Sequence, residues 1–168
     1  LSPNTVWGAW RNKSWPFNYA SPSRISRTAS RNDCIETFIK RAKDYLGTTY
    51  IWNYACAPGV GVDCAGLVLQ CAYACGMNFG SMNPYNHYYK GLNGGYHAAY
   101  ANAFWTRGDL QHVSLSSRKR GDLISWKGHI AIYLGNDRMI EAAPGEGVVN
   151  SSMWRYKHSP RGIIRLFN

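Results

Sequence analysis

Val62-Asp63-Cys64-Ala65-Gly66-Leu67-Val68 stands where a Pro/Gly-rich loop gives way to an apolar helical run, and it sets a cysteine on the first turn of that helix. Asp63 is a suitable N-cap, because its side-chain oxygens can accept from the free N–H groups of the turn that follows. The pattern predicts a helix from about Cys64 to Cys75, ended by Gly76, with Leu67, Val68, Cys71, Ala72 and Cys75 as its buried stripe. Unpaired N–H groups and the positive end of the helix dipole favour a thiolate at Cys64, the form that attacks carbonyl carbon. Such a nucleophile needs a general base and a group to orient that base, and His129 and Glu141 are the candidates.

Upstream of this junction, Ile35, Phe38, Ile39, Ala42, Tyr45 and Leu46 follow helical spacing from Asp33 onward. Asp33 with Glu36 resembles a capping box, and Gly47 suits the position after the helix. The stretch from Thr48 to Val62, with Tyr50, Trp52, Pro58, Gly59 and Gly61, reads as a loop. Residues 1–31 lack periodicity and read as an extended arm whose Trp7, Trp10, Trp15 and Phe17 pack on the domain formed by residues 32–168. Downstream, residues 77–117 form a long insertion rich in Tyr, Asn, Gly and His, with a short helix expected from about His97 to Trp105.

From Arg120 the periodicity changes to that of strands: Asp122–Trp126, His129–Leu134, Arg138–Ala143, Gly147–Asn150 and Gly162–Phe167, with Gly135-Asn136-Asp137 as a hairpin turn. Helices followed by strands predict an α+β domain, N-terminal helices packed on an antiparallel sheet. His129, Ala131 and Tyr133 then share one face, and Ile130, Ile132 and Leu134 the other. A three-residue connection places His129 and Glu141 on the same face as diagonal neighbours, whereas a two-residue turn would put them on opposite faces. Glu141 interrupts an apolar strand in a chain with three glutamates, so it needs a hydrogen-bonding or cationic partner, and His129 offers one.

Composition narrows the class. The chain has 168 residues, of which 45% are hydrophobic and 17% charged, as in ordinary globular domains. No run of about 18 apolar residues occurs, so no transmembrane segment is expected. Leu1 in place of Met, without a charged-then-apolar leader, reads as a mature or excised piece. The net charge of +10 points to an anionic partner or environment. The basic residues are scattered and no nucleic-acid readout motif accompanies them, so nucleic acid is not expected. Five cysteines are an odd count, fitting one reactive thiol plus Cys34, Cys56, Cys71 and Cys75, which could form two disulfides or serve as small buried apolar groups. No CxxC or Cys/His metal spacing is present, and no metal or organic cofactor is expected.

Four blocks carry a resemblance: Ala42-Lys43-Asp44-Tyr45-Leu46-Gly47-Thr48-Thr49-Tyr50-Ile51-Trp52, the Val62–Val68 stretch, Arg120-Gly121-Asp122-Leu123-Ile124, and Gly128-His129-Ile130-Ala131-Ile132-Tyr133-Leu134-Gly135-Asn136 with Met139-Ile140-Glu141-Ala142. In this order they resemble the NlpC-type cell-wall cysteine peptidases, the papain-like NlpC and p-sixty superfamily, over roughly Asp33 to Phe167. The resemblance implies Cys64 as nucleophile, His129 as base and Glu141 as third member. It matches Tyr50 to an oxyanion-stabilising tyrosine and Asp63 to a group that binds the free amine of a stem peptide. It implies a secreted, cell-wall-associated peptidoglycan hydrolase that cuts the γ-D-glutamyl to diamino acid bond, with stem peptides as substrate; the net charge of +10 adds anionic wall polymers as a further partner. Glu141 stands where histidine is more common, Ala65 replaces a serine, and Asn53-Tyr54 replaces a glycine pair. A papain-like amidase cutting the sugar-to-peptide bond, and a degenerate wall-binding module, are the alternatives.

Overall fold

The computed structural model describes residues 25–26, 28–84, 86–87 and 100–168. The expected arm side chains Trp7, Trp10, Trp15 and Phe17, and His97 of the insertion, lie outside the described residues. Helix α1 (Arg31–Asp44) starts earlier than the Asp33/Glu36 pairing suggests. Ser30 is the true N-cap: its hydroxyl accepts from Asp33 N–H at 3.1 Å, and the Asp33 carboxylate accepts from Ser30 N–H at 3.0 Å. Glu36 is thereby released to accept from Arg120 at 2.7 Å. The inward face of α1 is Cys34, Ile35, Phe38, Ile39 and Ala42, as the spacing predicts.

Helix α2 (Cys64–Ala74) has the predicted Asp63 cap, and Gly76 follows its end at φ +74°. Every one of its residues is buried, so the anticipated stripe widens to the whole circumference. A helix apolar on all sides belongs in the middle of a core. Here α1, the sheet and the preceding loop surround it. That loop folds back through a parallel bridge between Tyr50 and Val62 and an antiparallel one between Ala55 and Val62. Gln70 of α2 donates to Ala55 O at 2.6 Å, and Tyr45 donates to Cys56 O at 2.5 Å. Helix α3 (Tyr100–Thr106) follows, slightly later than expected.

The six strands are β1 (Gln111–Val113), β2 (Leu123–Trp126), β3 (His129–Gly135), β4 (Arg138–Ala143), β5 (Gly147–Ser152) and β6 (Gly162–Arg165). They form one antiparallel sheet in the order β1-β6-β2-β3-β4-β5. The expected architecture, helices packed on an antiparallel sheet, is the one observed. β1 is an addition: three residues without apolar alternation, recruited by the free edge of β6. Ile130, Ile132, Ile140, Ala142 and Ile164 face the helices. Ile124, Trp126, Ala131, Tyr133, Met139 and Ile163 form a second cluster on the other face.

The β3–β4 connection departs from both sequence alternatives. Gly135 pairs with Arg138, leaving the two-residue turn Asn136-Asp137, whose φ values of 50° and 58° are those of a type I′ hairpin. A register shift between Tyr133 and Gly135 then offsets the pairing by one residue, so Ile132 faces Ile140 and Tyr133 faces Met139. The bulge restores the register that a three-residue connection was expected to supply, and His129 and Glu141 come out on the same face.

All five cysteines are free and buried, so the two disulfides that the count allows are not formed. Cys71 and Cys75 act as small apolar groups between α1 and α2, and the Cys75 thiol donates to Cys34 O at 3.5 Å. No described helix is long and apolar enough to cross a membrane.

Gly66 marks the closest approach of α2 to the loop. A Cβ there would lie 2.1 Å from Tyr54 O and 3.0 Å from Ala55 Cα, and backbone atoms cannot swing aside. Gly66→Ala is expected to lower the melting temperature by roughly 3–10 °C, from about 1–3 kcal/mol of overpacking. Gly108→Ala, where an added Cβ meets nothing within 4 Å, is the control and should melt with the wild type.

Candidate active site

Cys64 is the first residue of α2, and its position is fixed by what Asp63 holds. The Asp63 carboxylate accepts from Gly66 N–H at 2.7 Å, from Asn53 N–H at 3.0 Å, and lies 2.8 Å from His87 Nε2 through both oxygens. Asp63 N–H donates to Tyr54 O at 2.8 Å. The turn bearing Cys64, the preceding loop and the insertion are thus tied to one carboxylate that is 4% exposed. The resemblance matches Asp63 to a ligand for a substrate amine, but the structure turns its oxygens inward, where they cap α2. His87 was not found from sequence, since nothing in its Tyr- and Asn-rich surroundings separates it from the other histidines of the insertion.

The helix start does not by itself ionise Cys64. Burial pushes the thiol up to about 12, and the adjacent Asp63 charge adds to this. The N–H groups of Ile130, Ala65 and Cys64 itself act in the opposite direction and are outweighed. The thiolate expected from the dipole argument therefore requires a base to take the proton. The contribution of Ile130 also places the sulfur against the start of β3, one residue from His129.

His129 opens β3, and its Nε2 lies 2.6 Å from Glu141 Oε2 on β4. Glu141 is completely buried and has further partners. Tyr156 donates to Oε2 at 2.5 Å, Ser151 donates to Oε1 at 2.9 Å, and Arg155 Nη1 lies 3.3 Å from Oε1. Burial pushes the Glu141 carboxyl up, but the bonds from His129, Tyr156 and Ser151 together bring it below its ordinary value of 4.5. Glu141 is thus an acceptor at neutral pH, so the facing His129 Nε2 carries the hydrogen. That leaves Nδ1 as the nitrogen with a lone pair for an incoming proton. Trp126 packs beside both rings, 5.6 Å from His129 and 5.3 Å from Tyr156 between centroids.

Tyr156, Ser151 and Arg155 were not found from sequence. Ser151 was within reach of it: Met139 pairs with Ser151 and Glu141 with Val149, so extending β5 past Asn150 would have set Ser151 diagonal to Glu141 on its own face. Tyr156 and Arg155 sit between β5 and β6, where no periodicity operates.

Tyr50, Cys64 and His129 open onto one cleft of about 710 Å³. Burial, with the neighbouring Cys64 and Asp63 charges, raises the Tyr50 phenol, so its hydroxyl stays protonated and able to donate. Lys127, Lys157 and Arg161 line the same cleft. Among the described residues no group of three or more His, Cys, Asp or Glu side chains is placed to hold a metal. A thiol, an imidazole with a buried carboxylate behind it, and a phenolic donor on one cleft are the parts required for covalent acyl transfer.

The sequence profile of the NlpC/P60 family matches residues 47–161, which include Tyr50, Cys64, His129 and Glu141. The chain belongs to the NlpC/P60 family. It is similar to the peptidoglycan endopeptidase RipB of Mycobacterium tuberculosis, with 31% identity over 145 residues, covering 77% of this chain and 52% of that protein. The chain therefore spans about half the length of the curated relatives it matches. The solved structure of the peptidoglycan hydrolase RipB from the same organism superposes with a TM-score of 0.59 at 26% identity, covering 86% of this chain and 70% of that one. RipD of M. tuberculosis, a non-catalytic NlpC/p60 domain protein with an adaptation to peptidoglycan-binding function, shares the fold. Its TM-score is 0.54 at 20% identity, over 80% of this chain and 98% of RipD.

Two measurements follow for this NlpC/P60 domain. In His129→Ala, alkylation of Cys64 by iodoacetamide at pH 7 should be roughly 100-fold or more slower than in the wild type and should climb with pH beyond 10, because the unassisted thiol is mostly protonated. Adduct formation followed by mass spectrometry reads this, and an unchanged rate would show that the helix start alone ionises the sulfur. Glu141 has a lowered folded value, so its contribution to stability is complete above about 4.5 and is lost as pH falls through the folded value. Urea midpoints should hold steady from pH 7 to pH 5 and then drop, with a shallower drop below pH 4.5 in Glu141→Gln.

Proposed function

We propose that this domain is a cysteine endopeptidase of peptidoglycan, cleaving the γ-D-glutamyl to diamino acid bond of the stem peptide with Cys64, His129 and Glu141. The observation that carries the reading is the 2.6 Å contact between His129 Nε2 and a fully buried Glu141, on the wall of the cleft that Cys64 enters. Membership of the NlpC/P60 family and likeness to the peptidoglycan endopeptidase RipB support the substrate class.

His129 Nδ1 takes the Cys64 proton as the sulfur bonds to the scissile carbonyl carbon. Glu141 stabilises the imidazolium that forms and fixes its ring orientation. The Cys64 N–H and the Tyr50 hydroxyl are the donors assigned to the developing oxyanion. Collapse of the tetrahedral intermediate breaks the C–N bond, and the departing amine receives the proton from His129. Water then attacks the thioester with His129 again as base, releasing the carboxylate product and the thiol. Asp63, enclosed by Asn53, Gly66 and His87, positions the nucleophile in this scheme, leaving the substrate amine to other groups. Secretion and association with the wall belong to the same proposal, since a peptidoglycan substrate lies outside the cytoplasm.

Purified muropeptides incubated with the full chain and analysed by mass spectrometry test the reading. The wild type should generate new γ-glutamyl carboxyl termini, and Cys64→Ala should lose at least about 10³-fold in turnover. Release of the whole stem peptide from the sugar would establish the amidase instead. Retention of muropeptides without turnover by the wild type would establish a wall-binding module.

A further inference from the structure

Six arginines of the described chain are matched with carboxylates: Arg41, Arg107, Arg118, Arg120, Arg155 and Arg165. Arg161, on the cleft wall, is held just as firmly by neutral groups. Its Nε donates to Ser125 Oγ at 2.9 Å and its Nη2 to Asn102 Oδ1 at 3.0 Å. Its guanidinium lies over the Trp105 ring at 4.8 Å. That ring is itself fixed, because His112 stacks on it at 3.9 Å and bonds to Trp105 O at 2.8 Å. A Cβ at Gly162 would lie 2.6 Å from the indole, so the backbone after Arg161 abuts the same platform.

Among the described residues no carboxylate pairs with Arg161, and its Nη1 makes no hydrogen bond. Burial draws the guanidinium below its ordinary value, in contrast to the raised values of Arg118, Arg120, Arg155 and Arg165 beside their acids. It remains a cation at any physiological pH. Arg161 is exposed to the cleft, and an immobilised cation without a counter-charge is preorganised for an anionic ligand; a guanidinium fork fits a carboxylate in particular. Asn102 connects this group to the chemistry, since the same Oδ1 also accepts from Gly128 N–H at 3.0 Å, next to His129.

We propose that Arg161 anchors a free carboxylate of the bound peptide, a group outside the scissile bond, and so makes the cleft selective for acidic over amidated stem peptides. Lys127 and Lys157 on the same cleft add long-range attraction. The proposal rests on the peptidase reading given above and adds the charge of the substrate to it. Stem peptides carry such carboxylates on the γ-linked glutamate and on the diamino acid, and their neutralisation to carboxamides removes the charge at almost constant size.

The test uses synthetic alanyl-γ-D-glutamyl-diamino acid peptides, fully acidic or with one carboxylate at a time converted to the carboxamide. The wild type should cleave one of the amidated peptides with a kcat/KM roughly 10- to 100-fold below that of the acidic peptide, mainly through KM. Arg161→Gln should lose a similar factor on the acidic peptide and change little on that amide, so that discrimination disappears. Arg161→Lys should restore part of it. Lys157→Gln, on an exposed loop that leaves the Trp105 platform intact, should produce a smaller loss confined to the acidic peptide and abolished by high salt. Equal losses on acidic and amidated peptides in Arg161→Gln, or a wild type indifferent to every amide while turning them over, would overturn the anchor alone. Absence of cleavage of any of these peptides by the wild type would overturn the peptidase reading and the anchor with it.

Discussion

The Asp63 carboxylate is the constraint from which the rest of the site follows. A buried charge is tolerable only when its oxygens are filled, and here Asn53, Gly66 and His87 fill them from three different segments. The turn bearing Cys64 is thereby held against the loop that carries Tyr50, closely enough that Gly66 has no room for a side chain. Burial raises the proton affinity of the neighbouring sulfur, and the same charge adds to the effect. Burial and the Asp63 charge together keep the Cys64 thiol protonated, so a thiolate there requires a base, and the cleft that Cys64 opens onto also carries His129.

That imidazole is placed by strand register. Side chains alternate with a period of two, so a one-residue slip between β3 and β4 would send His129 and Glu141 to opposite faces. The tight Asn136-Asp137 turn imposes that slip, and the irregularity between Tyr133 and Gly135 reverses it. Behind the pair, Tyr156, Ser151 and Arg155 complete the environment of Glu141, so an acidic side chain can persist in the interior in its charged form.

Features encoded by local pattern were legible in the sequence. The Asp63 cap, the extent of α2 and the antiparallel strands all follow from periodicities and capping preferences within a few residues, whereas the shared face of His129 and Glu141 depends on the register shift between Tyr133 and Gly135 that no local pattern announces. Features set by competition between distant segments were not. Asp33 could pair forward with Glu36 or back with Ser30, and the outcome depends on Arg120 drawing Glu36 away. The strand character of Gln111–Val113 comes from the free edge of β6 and from no apolar alternation of its own. The protonation of Cys64 illustrates the same limit: the dipole can be inferred from sequence, whereas the burial that outweighs it is a property of the assembled cleft.

The enclosure of α2 on every side has an evolutionary corollary. A change to nearly any of its residues disturbs packing in several directions, so Cys64 sits on the part of the domain least free to vary. The opposite bank, between β5 and β6, presents the exposed side chains of Lys157 and His158 to the cleft, set among anchored ones: Tyr156 and Arg155 hold Glu141, and Arg161 is tied to Ser125 and Asn102. Drift in what the cleft accepts can accumulate at the exposed positions of that bank while the surroundings of Cys64, His129 and Glu141 are inherited unaltered. Divergence within such a lineage should be written at the exposed Lys157, His158 and Ser159 far more than in the helix that begins at Cys64.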